Sequence, residues 1–341
     1  MILRTSDFDY ILPLEFIAQR PSPVRDESRL MVLDRRTGDI KHRTFRDLTD
    51  FLTSKDILVL NDTWVIPARL YGKKITGGKV EILLLRRILD DAWEALVNPS
   101  KRVGIGTKLL FGGGRLQGEV IERTEAGSKV INFKYKGDFW DLLSELGETP
   151  LPPYIKEKIE DVERYQTVYA KKKGASAAPT AGLHFTEKLL SRIKEKGIKT
   201  TFVTLHTGLA TFRPVKTEFI KHHKMHKEYY EVSVDAAQAI NKAKKEGGRV
   251  IAVGTTTVRV LETSHHDGKV IEGKGDTELF IYPGYKFKVV DAIITNFHFP
   301  KSTLLMLVSA FANRKHIFKA YEEAIHKKYR FYSFGDAMLI L

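Results

Sequence analysis

Cysteine is absent from all 341 residues, which excludes disulfides, thiolate zinc sites, iron–sulfur clusters and cysteine nucleophiles. Any catalysis must use other groups, and the sequence suggests no metal site. No run approaches the ~20 apolar residues that a membrane span needs, and Met1-Ile2-Leu3-Arg4-Thr5 lacks the blocks of a secretory signal. A cytoplasmic protein with no membrane partner is therefore expected, with monomer as the default state. Tryptophan and asparagine are scarce, yet 43% of residues are hydrophobic, ample for a core, and the length fits about two domains. Acidic residues are the minority: 42 Asp plus Glu face 56 Lys plus Arg, a net charge of +14. Such an excess favours a polyanionic partner, RNA or DNA, through long-range attraction and counterion release. The same lysine-rich, cysteine-free composition also suits a thermophile, so charge alone does not settle function.

The texture changes twice along the chain. Leu30-Met31-Val32-Leu33-Asp34 and Ile57-Leu58-Val59-Leu60 read as strands, with Phe45, Leu48 and Phe51 at helical spacing between them. From 68 to 149, short strands broken by glycines predict a small all-β barrel, including Val80 to Leu85, Ala92 to Val97 and Lys129 to Phe133. After Pro150-Leu151-Pro152-Pro153 the pattern alternates strand and helix: strands at 199–203, 249–253 and 289–294, helices at 187–196, 235–246 and 302–312. The expected fold class is α/β, a discontinuous main domain of residues 1–67 and 150–341 with an inserted β-barrel at 68–149.

Several dense constellations fall at strand ends or in loops, where α/β folds assemble sites. In Ala177-Ala178-Pro179-Thr180-Ala181-Gly182-Leu183-His184-Phe185-Thr186, small residues let the main chain approach a flat ligand around one imidazole, although the run is equally a loop with a helix cap. Arg25-Asp26-Glu27-Ser28-Arg29 offers guanidiniums for phosphate or carboxylate, or is a solvated charge run. Asn61-Asp62-Thr63 follows a buried strand and is alternatively an Asx turn. His206 sits in a Gly loop that continues through Leu209-Ala210-Thr211-Phe212-Arg213. His222-His223-Lys224-Met225-His226-Lys227-Glu228 gathers groups that exchange protons near neutral pH, without the His-Glu-x-x-His order of a zinc protease; His222 and His226 share a face if the stretch is helical. Gly254-Thr255-Thr256-Thr257-Val258-Arg259 suits an anion at a helix start but is no Walker loop, so a carboxylate fits better than a triphosphate. Thr295-Asn296-Phe297-His298 makes a further polar pocket, or a structural histidine.

Taken in order and together, these segments, with Leu12-Pro13-Leu14-Glu15-Phe16-Ile17-Ala18-Gln19 and Thr211-Phe212-Arg213-Pro214-Val215, resemble the S-adenosylmethionine:tRNA ribosyltransferase-isomerase family of queuosine biosynthesis. The resemblance runs through the whole chain. It implies transfer and isomerisation of the ribosyl part of S-adenosylmethionine onto 7-aminomethyl-7-deazaguanine at the tRNA wobble position, giving epoxyqueuosine and releasing adenine and methionine. S-adenosylmethionine is then a consumed co-substrate, with no true cofactor, and tRNA is the partner. The chemistry implied needs a base near the ribose C5′, acidified by the sulfonium, and a proton donor for adenine. The residues that match assign proton transfer to His184, His226, Glu228 and His298. They assign substrate binding to Asp26, Asp62, Thr180, Gly182, His206, Gly254, Thr255, Thr256 and Asn296, and tRNA phosphate contacts to Arg25, Arg29 and Arg259. The chain departs from the family pattern at Trp64, where Arg is common, at Ala210, a usual Gly, and at Phe299, a usual Leu. A non-catalytic tRNA-binding protein and an S-adenosylmethionine-dependent tRNA methyltransferase are the competing readings.

Overall fold

Alternate residues of the strands Ile57–Asn61 and Val250–Val253 enter two different apolar layers, and this two-sided burial organises the larger part of the chain. Ile57, Val59, Val250 and Ala252 face one layer, while Leu58, Leu60, Ile251 and Val253 face the other. Strands that read apolar throughout belong between two covering layers, because a half-exposed strand alternates with polar residues. The computed structural model describes residues 3–341 except 126, 158, 160 and 209–213.

The main sheet has nine strands in the order Gly273–Thr277, Glu228–Val232, Lys199–Leu205, Ile57–Asn61, Val250–Val253, Ala292–Asn296, Ala337–Ile340, Arg29–Leu33 and Ile40–Thr44. The four strands from Lys199–Leu205 to Ala292–Asn296 are parallel neighbours. Helices Val234–Lys245, Thr255–Thr263, Thr303–Ala312 and Arg314–His326 cover one face, and the 3₁₀ turn Phe45–Phe51 with the helix Glu187–Glu195 covers the other. The strand expected from Val289 begins only at Ala292, because the amides of Val289 and Val290 donate to the buried carboxylate of Glu262 (3.0 and 3.1 Å) instead of joining the ladder. The stretch from His222 to Glu228 is not helical: a short turn ends at His222 and a strand begins at Glu228, so the helical face proposed for His222 and His226 does not form.

The inserted barrel closes through six antiparallel strands: Arg69–Lys74, Lys79–Arg87, Ala92–Asn98, Lys129–Tyr135, Leu116–Arg123 and Lys108–Phe111, which pairs back to the first. Inward residues such as Leu70, Ile82, Trp93, Phe111 and Phe133 form its separate core. The chain leaves through the helix Phe139–Leu146, and Gly147–Glu148 then pairs with Leu70 and Arg69, so entry and exit lie side by side. The approach is close enough that a Cβ on Gly147 would stand 2.0 Å from the Pro67 carbonyl oxygen. The insert is tied to the main sheet by Arg86 to Asp276 (3.2 Å), and to the separate two-stranded sheet of Thr63–Val65 and Lys172–Ala175 by Lys173 over the ring of Trp140 (5.6 Å). Among the described residues no helix is long and apolar enough to cross a membrane.

The central strands are pinned at their start by Asp56, whose buried carboxylate accepts from Arg249 Nη2 (2.7 Å), Arg249 Nε (3.0 Å) and the Thr53 amide (2.7 Å). These donors outweigh burial and hold the Asp56 carboxyl below its ordinary range. Removing one partner of such a pair leaves the other uncompensated. Asp56→Ala is expected to lower unfolding free energy by about 3 kcal/mol in a urea titration, and a loss below about 1 kcal/mol would show that the pair does not anchor the sheet.

Candidate active site

The parallel strands Val250–Val253 and Ala292–Asn296 end side by side, and a cleft opens beyond their carboxyl ends. Ligands of α/β sheets bind at such ends because the loops diverge there and helix N-termini point inward. Gly254 makes the turn out of the first strand with φ +91°, a conformation that side chains disfavour, and the helix Thr255–Thr263 starts immediately. Among the described residues no side chain caps that helix, and its first turn carries no acidic residue. Its leading amides are therefore open to an anion, with the helix dipole in support. Thr256 Oγ1 is buried and has no partner among the described residues, while Thr257 Oγ1 is spent on the Val253 carbonyl (2.7 Å). A second helix, Thr303–Ala312, capped by Ser302, also starts at the cleft.

The facing wall is the segment Ala178 to Ala181, held because the amides of Ser176 and Ala177 both donate to the Thr207 carbonyl (3.1 Å each). Another wall is aromatic. Tyr332 stacks on Phe299 with ring centroids 3.5 Å apart, and Tyr154 lies 4.7 Å from Phe299 and 5.1 Å from Tyr332. Tyr332 takes φ +71°, an uncommon state for a bulky residue, which the surrounding packing must impose.

The floor is a relay of polar groups. Asn296 Nδ2 donates to the Tyr332 carbonyl (3.0 Å) and to His184 Nε2 (3.1 Å). With Nε2 accepting, His184 carries its proton on Nδ1 and donates it to Ser28 Oγ (2.6 Å). Asn296 Oδ1 is left buried without a partner among the described residues, on a side chain that lines the cleft. His298 also lines the cleft; its Nε2 lies 2.8 Å from Thr295 Oγ1, and Nδ1 has no partner among the described residues. Burial lowers His298 to about 3, and burial with the charges of Arg330 and Arg25 lowers His184 to about 3, so both imidazoles are neutral at physiological pH.

Of the residues singled out in the sequence, Thr180, Gly254, Thr255, Thr256, Asn296 and His298 converge on this cleft. His184 stands behind it, stacked on Phe45 (5.0 Å) with both ring nitrogens engaged. Gly182 lies in the same turn, where a Cβ would stand 2.1 Å from the Tyr169 hydroxyl. Glu228 is buried, pairs with Arg259 and accepts from the Gly208 amide (3.2 Å), next to the lining residue Thr207. His226 is exposed and outside the lining. Asp26 is half-buried and accepts from Thr186 Oγ1 (3.0 Å), the hydroxyl that caps the helix Glu187–Glu195. Asp62, His206 and Thr63 form a separate cluster: Thr204 Oγ1 donates to Asp62 (2.7 Å), whose carboxyl burial raises, and His206 Nδ1 lies 2.8 Å from Thr63 Oγ1. Burial and then Lys172 lower His206 to about 4.

The three arginines differ. Arg259 is 3% exposed and is committed to Glu228 and to the carbonyls of Leu279 (3.1 Å) and Thr277 (3.3 Å), so its burial does not match a surface contact with phosphate. Arg29 is half-exposed, paired with Asp336 (3.1 Å) and laid over Tyr329 (4.1 Å). Arg25 bonds only to carbonyls. Ala210, Thr211, Phe212 and Arg213 lie outside the described residues. Sequence reasoning missed Tyr154, Tyr332 and Ser333, and took Thr207 only as part of the loop around His206; all four line the cleft. Only Tyr154 carried a signal, as an aromatic just after the Pro-rich turn; nothing in the sequence marks the backbone state that turns Tyr332 inward.

Comparison with known proteins agrees with this architecture. A family model described as "Queuosine biosynthesis protein" matches residues 5–340. The chain is 57% identical over 339 residues to the S-adenosylmethionine:tRNA ribosyltransferase-isomerase of Carboxydothermus hydrogenoformans, covering 99% of this chain and 100% of that relative. It is 57% identical over 340 residues to the protein of the same name from Clostridioides difficile, with the same coverage. The crystal structure of S-adenosylmethionine tRNA ribosyltransferase from Thermotoga maritima superposes with a TM-score of 0.58 at 41% identity, covering 98% of this chain and 100% of that one. Matched from end to end by the family model and by relatives of that identity, the chain belongs to the queuosine biosynthesis protein family.

Proposed function

We propose that this chain is an S-adenosylmethionine:tRNA ribosyltransferase-isomerase, which moves and isomerises the ribosyl group of S-adenosylmethionine onto 7-aminomethyl-7-deazaguanine in the tRNA anticodon. Adenine and methionine are released and epoxyqueuosine remains in tRNA. The observation that carries the reading is the character of the cleft: an open helix start, an aromatic wall and no Asp, Glu, Lys or Arg among its described lining residues. In a protein of net charge +14, a cleft without Lys or Arg suits a cationic sulfonium. Aromatic faces attract such a cation.

The methionine carboxylate sits on the amides of Thr255 and Thr256, with Thr256 Oγ1 as a further donor. Asn296 Oδ1 accepts from an amino group of a purine, and Tyr154, Phe299 and Tyr332 supply faces for its ring. His298 Nδ1 takes the C5′ proton, which the adjacent sulfonium acidifies. Its neutral state makes it an acceptor at working pH. His184 fixes the Asn296 amide and Glu228 holds the Thr207–Gly208 corner; both act through other groups. The target base leaves the anticodon stack to enter, as enzymes acting on bases require. Residues 1–67 and 150–341 form the catalytic domain and 68–149 the insert, in a cytoplasmic monomer without a resident cofactor.

His298→Gln is expected to lower kcat for adenine release by about 10²-fold, with the KM for S-adenosylmethionine changed little. Asn296→Ala should instead raise that KM about tenfold, the loss of one hydrogen bond. Unchanged kcat in the first variant removes His298 from proton transfer. Ribose-labelled S-adenosylmethionine should label the tRNA and methyl-labelled material should not; the opposite result makes the protein a methyltransferase, and no release of adenine makes it a binding protein.

Because His184, His206 and His298 have values in the fold below the ordinary 6.5, the unfolded chain binds their protons first as pH falls. Their contribution is complete above pH 6.5 and is lost on acidification toward 4, at up to about 1.4 kcal/mol per pH unit for each group. Urea midpoints at pH 7.5 and 5 should therefore fall on acidification, and less steeply in His298→Gln. Equal midpoints at both values would show that these imidazoles are not buried neutral.

A further inference from the structure

Behind His184 lies a second, smaller pocket, lined by Ser22, Arg25, Arg164, Ser28, His184 and Ser333 among others. Ser333 also lines the main cleft, so the two spaces share a wall. Arg25 donates Nη1 to the Leu183 carbonyl (3.1 Å) and Nη2 to the Glu163 carbonyl (3.0 Å). Arg164 donates Nη1 to the Pro23 carbonyl (3.1 Å) and Nη2 to the Ser22 carbonyl. Neither forms an ion pair among the described residues, and no carboxylate lines the cavity. Carbonyl acceptors orient a guanidinium but carry no charge to neutralise it, so the cavity holds two positive groups side by side. Arg164 Nε is buried with no partner among the described residues. Burial and then the charge of Arg164 lower Arg25, against the opposing charges of Asp161 and Glu163, neither of which lies within ion-pair distance of it among the described residues.

We propose that this cavity is a phosphate subsite, in which Arg25 and Arg164 together take one backbone phosphate of the tRNA anticodon loop beside the nucleotide being modified. The inference rests on the tRNA reading above and adds Arg164, which the sequence did not single out, and a defined place for Arg25. One phosphate forked by two guanidiniums supplies the charge that the carbonyls do not, and it fixes the RNA register next to the cleft. The base itself then enters a neutral space.

The test uses the full-length protein and an anticodon stem-loop RNA carrying 7-aminomethyl-7-deazaguanine. Arg164→Gln and Arg25→Gln should each weaken RNA binding at least about tenfold at low salt, and reduce the slope of log Kd against log salt by about 0.7, the signature of one lost phosphate contact. The KM for S-adenosylmethionine should not change. A stem-loop with one neutral methylphosphonate linkage, scanned through the loop, should reproduce the loss in the wild-type protein at a single position and add nothing in the variants. The scan on wild type stands even where a variant fails to fold. An unchanged salt slope, a penalty at no linkage, or a raised KM for S-adenosylmethionine with unaltered RNA binding overturns the phosphate subsite while ribosyl transfer by the wild type stands. No transfer by the wild type overturns the tRNA reading itself, and the subsite with it.

Discussion

The Asn296 amide is the point on which the site depends. It lies at the end of a fully buried strand, and its two N–H groups reach the Tyr332 carbonyl and His184 Nε2. One side chain thereby joins four distant parts of the chain: the strand that bears it, the turn at Tyr332, the turn Thr180–His184 and, through Ser28, the N-terminal segment. Both donors are spent on protein, so Oδ1 is left as an acceptor without a partner among the described residues, on a side chain that lines the cleft. An unpaired buried acceptor costs roughly 1–3 kcal/mol, and a ligand N–H that satisfies it recovers that energy. The fold thus supports a ligand contact through a network that it leaves one bond short.

Neutrality follows from the same packing. The imidazoles on either side of Asn296 are deep enough that a charge on them is disfavoured, and neither faces a carboxylate. A neutral His184 can accept at Nε2 and so hold the amide in one orientation; a protonated ring would donate there and reverse it. Fixed partial charges do the remaining electrostatic work. The amides at the start of Thr255–Thr263 are positive without a titratable group, and they need no reorganisation when an anion arrives.

The scaffold was legible wherever periodicity and turn chemistry agreed. Fully apolar runs such as Ile57 to Leu60 mark central strands, Thr186 before Glu187-Lys188-Leu189-Leu190 marks a helix start, and glycine-broken strands mark the barrel. The end strand Ala337–Ile340 escaped because a short apolar run carries no period to separate strand from helix. Glu262 shows a different limit: a carboxylate distant in sequence takes the amides of Val289 and Val290, and nothing local predicts it. The site divides in the same way. Gly254 and Asn296 sit where strands stop, which the sequence displays. The inward turn of Tyr332 rests on a positive φ in a bulky residue, which only tertiary packing decides.

Charge placement separates the binding of RNA from the handling of a sulfonium. The chain carries +14, yet the described lining of the cleft holds no Lys or Arg. Arg259, on the helix that opens at the cleft, is turned away and neutralised by Glu228. Such a buried pair gains little net stability, since desolvation consumes most of the attraction. Its consequence lies in the field: an unpaired guanidinium on that helix would repel a sulfonium in a space where few charges screen it. Arg25 and Arg164 present the opposite arrangement on the other side of His184, two guanidiniums held by carbonyls and left charged. Paired where a cation must enter and unpaired where an anion can rest, the arginines divide one basic protein into a neutral reaction space and a positive margin.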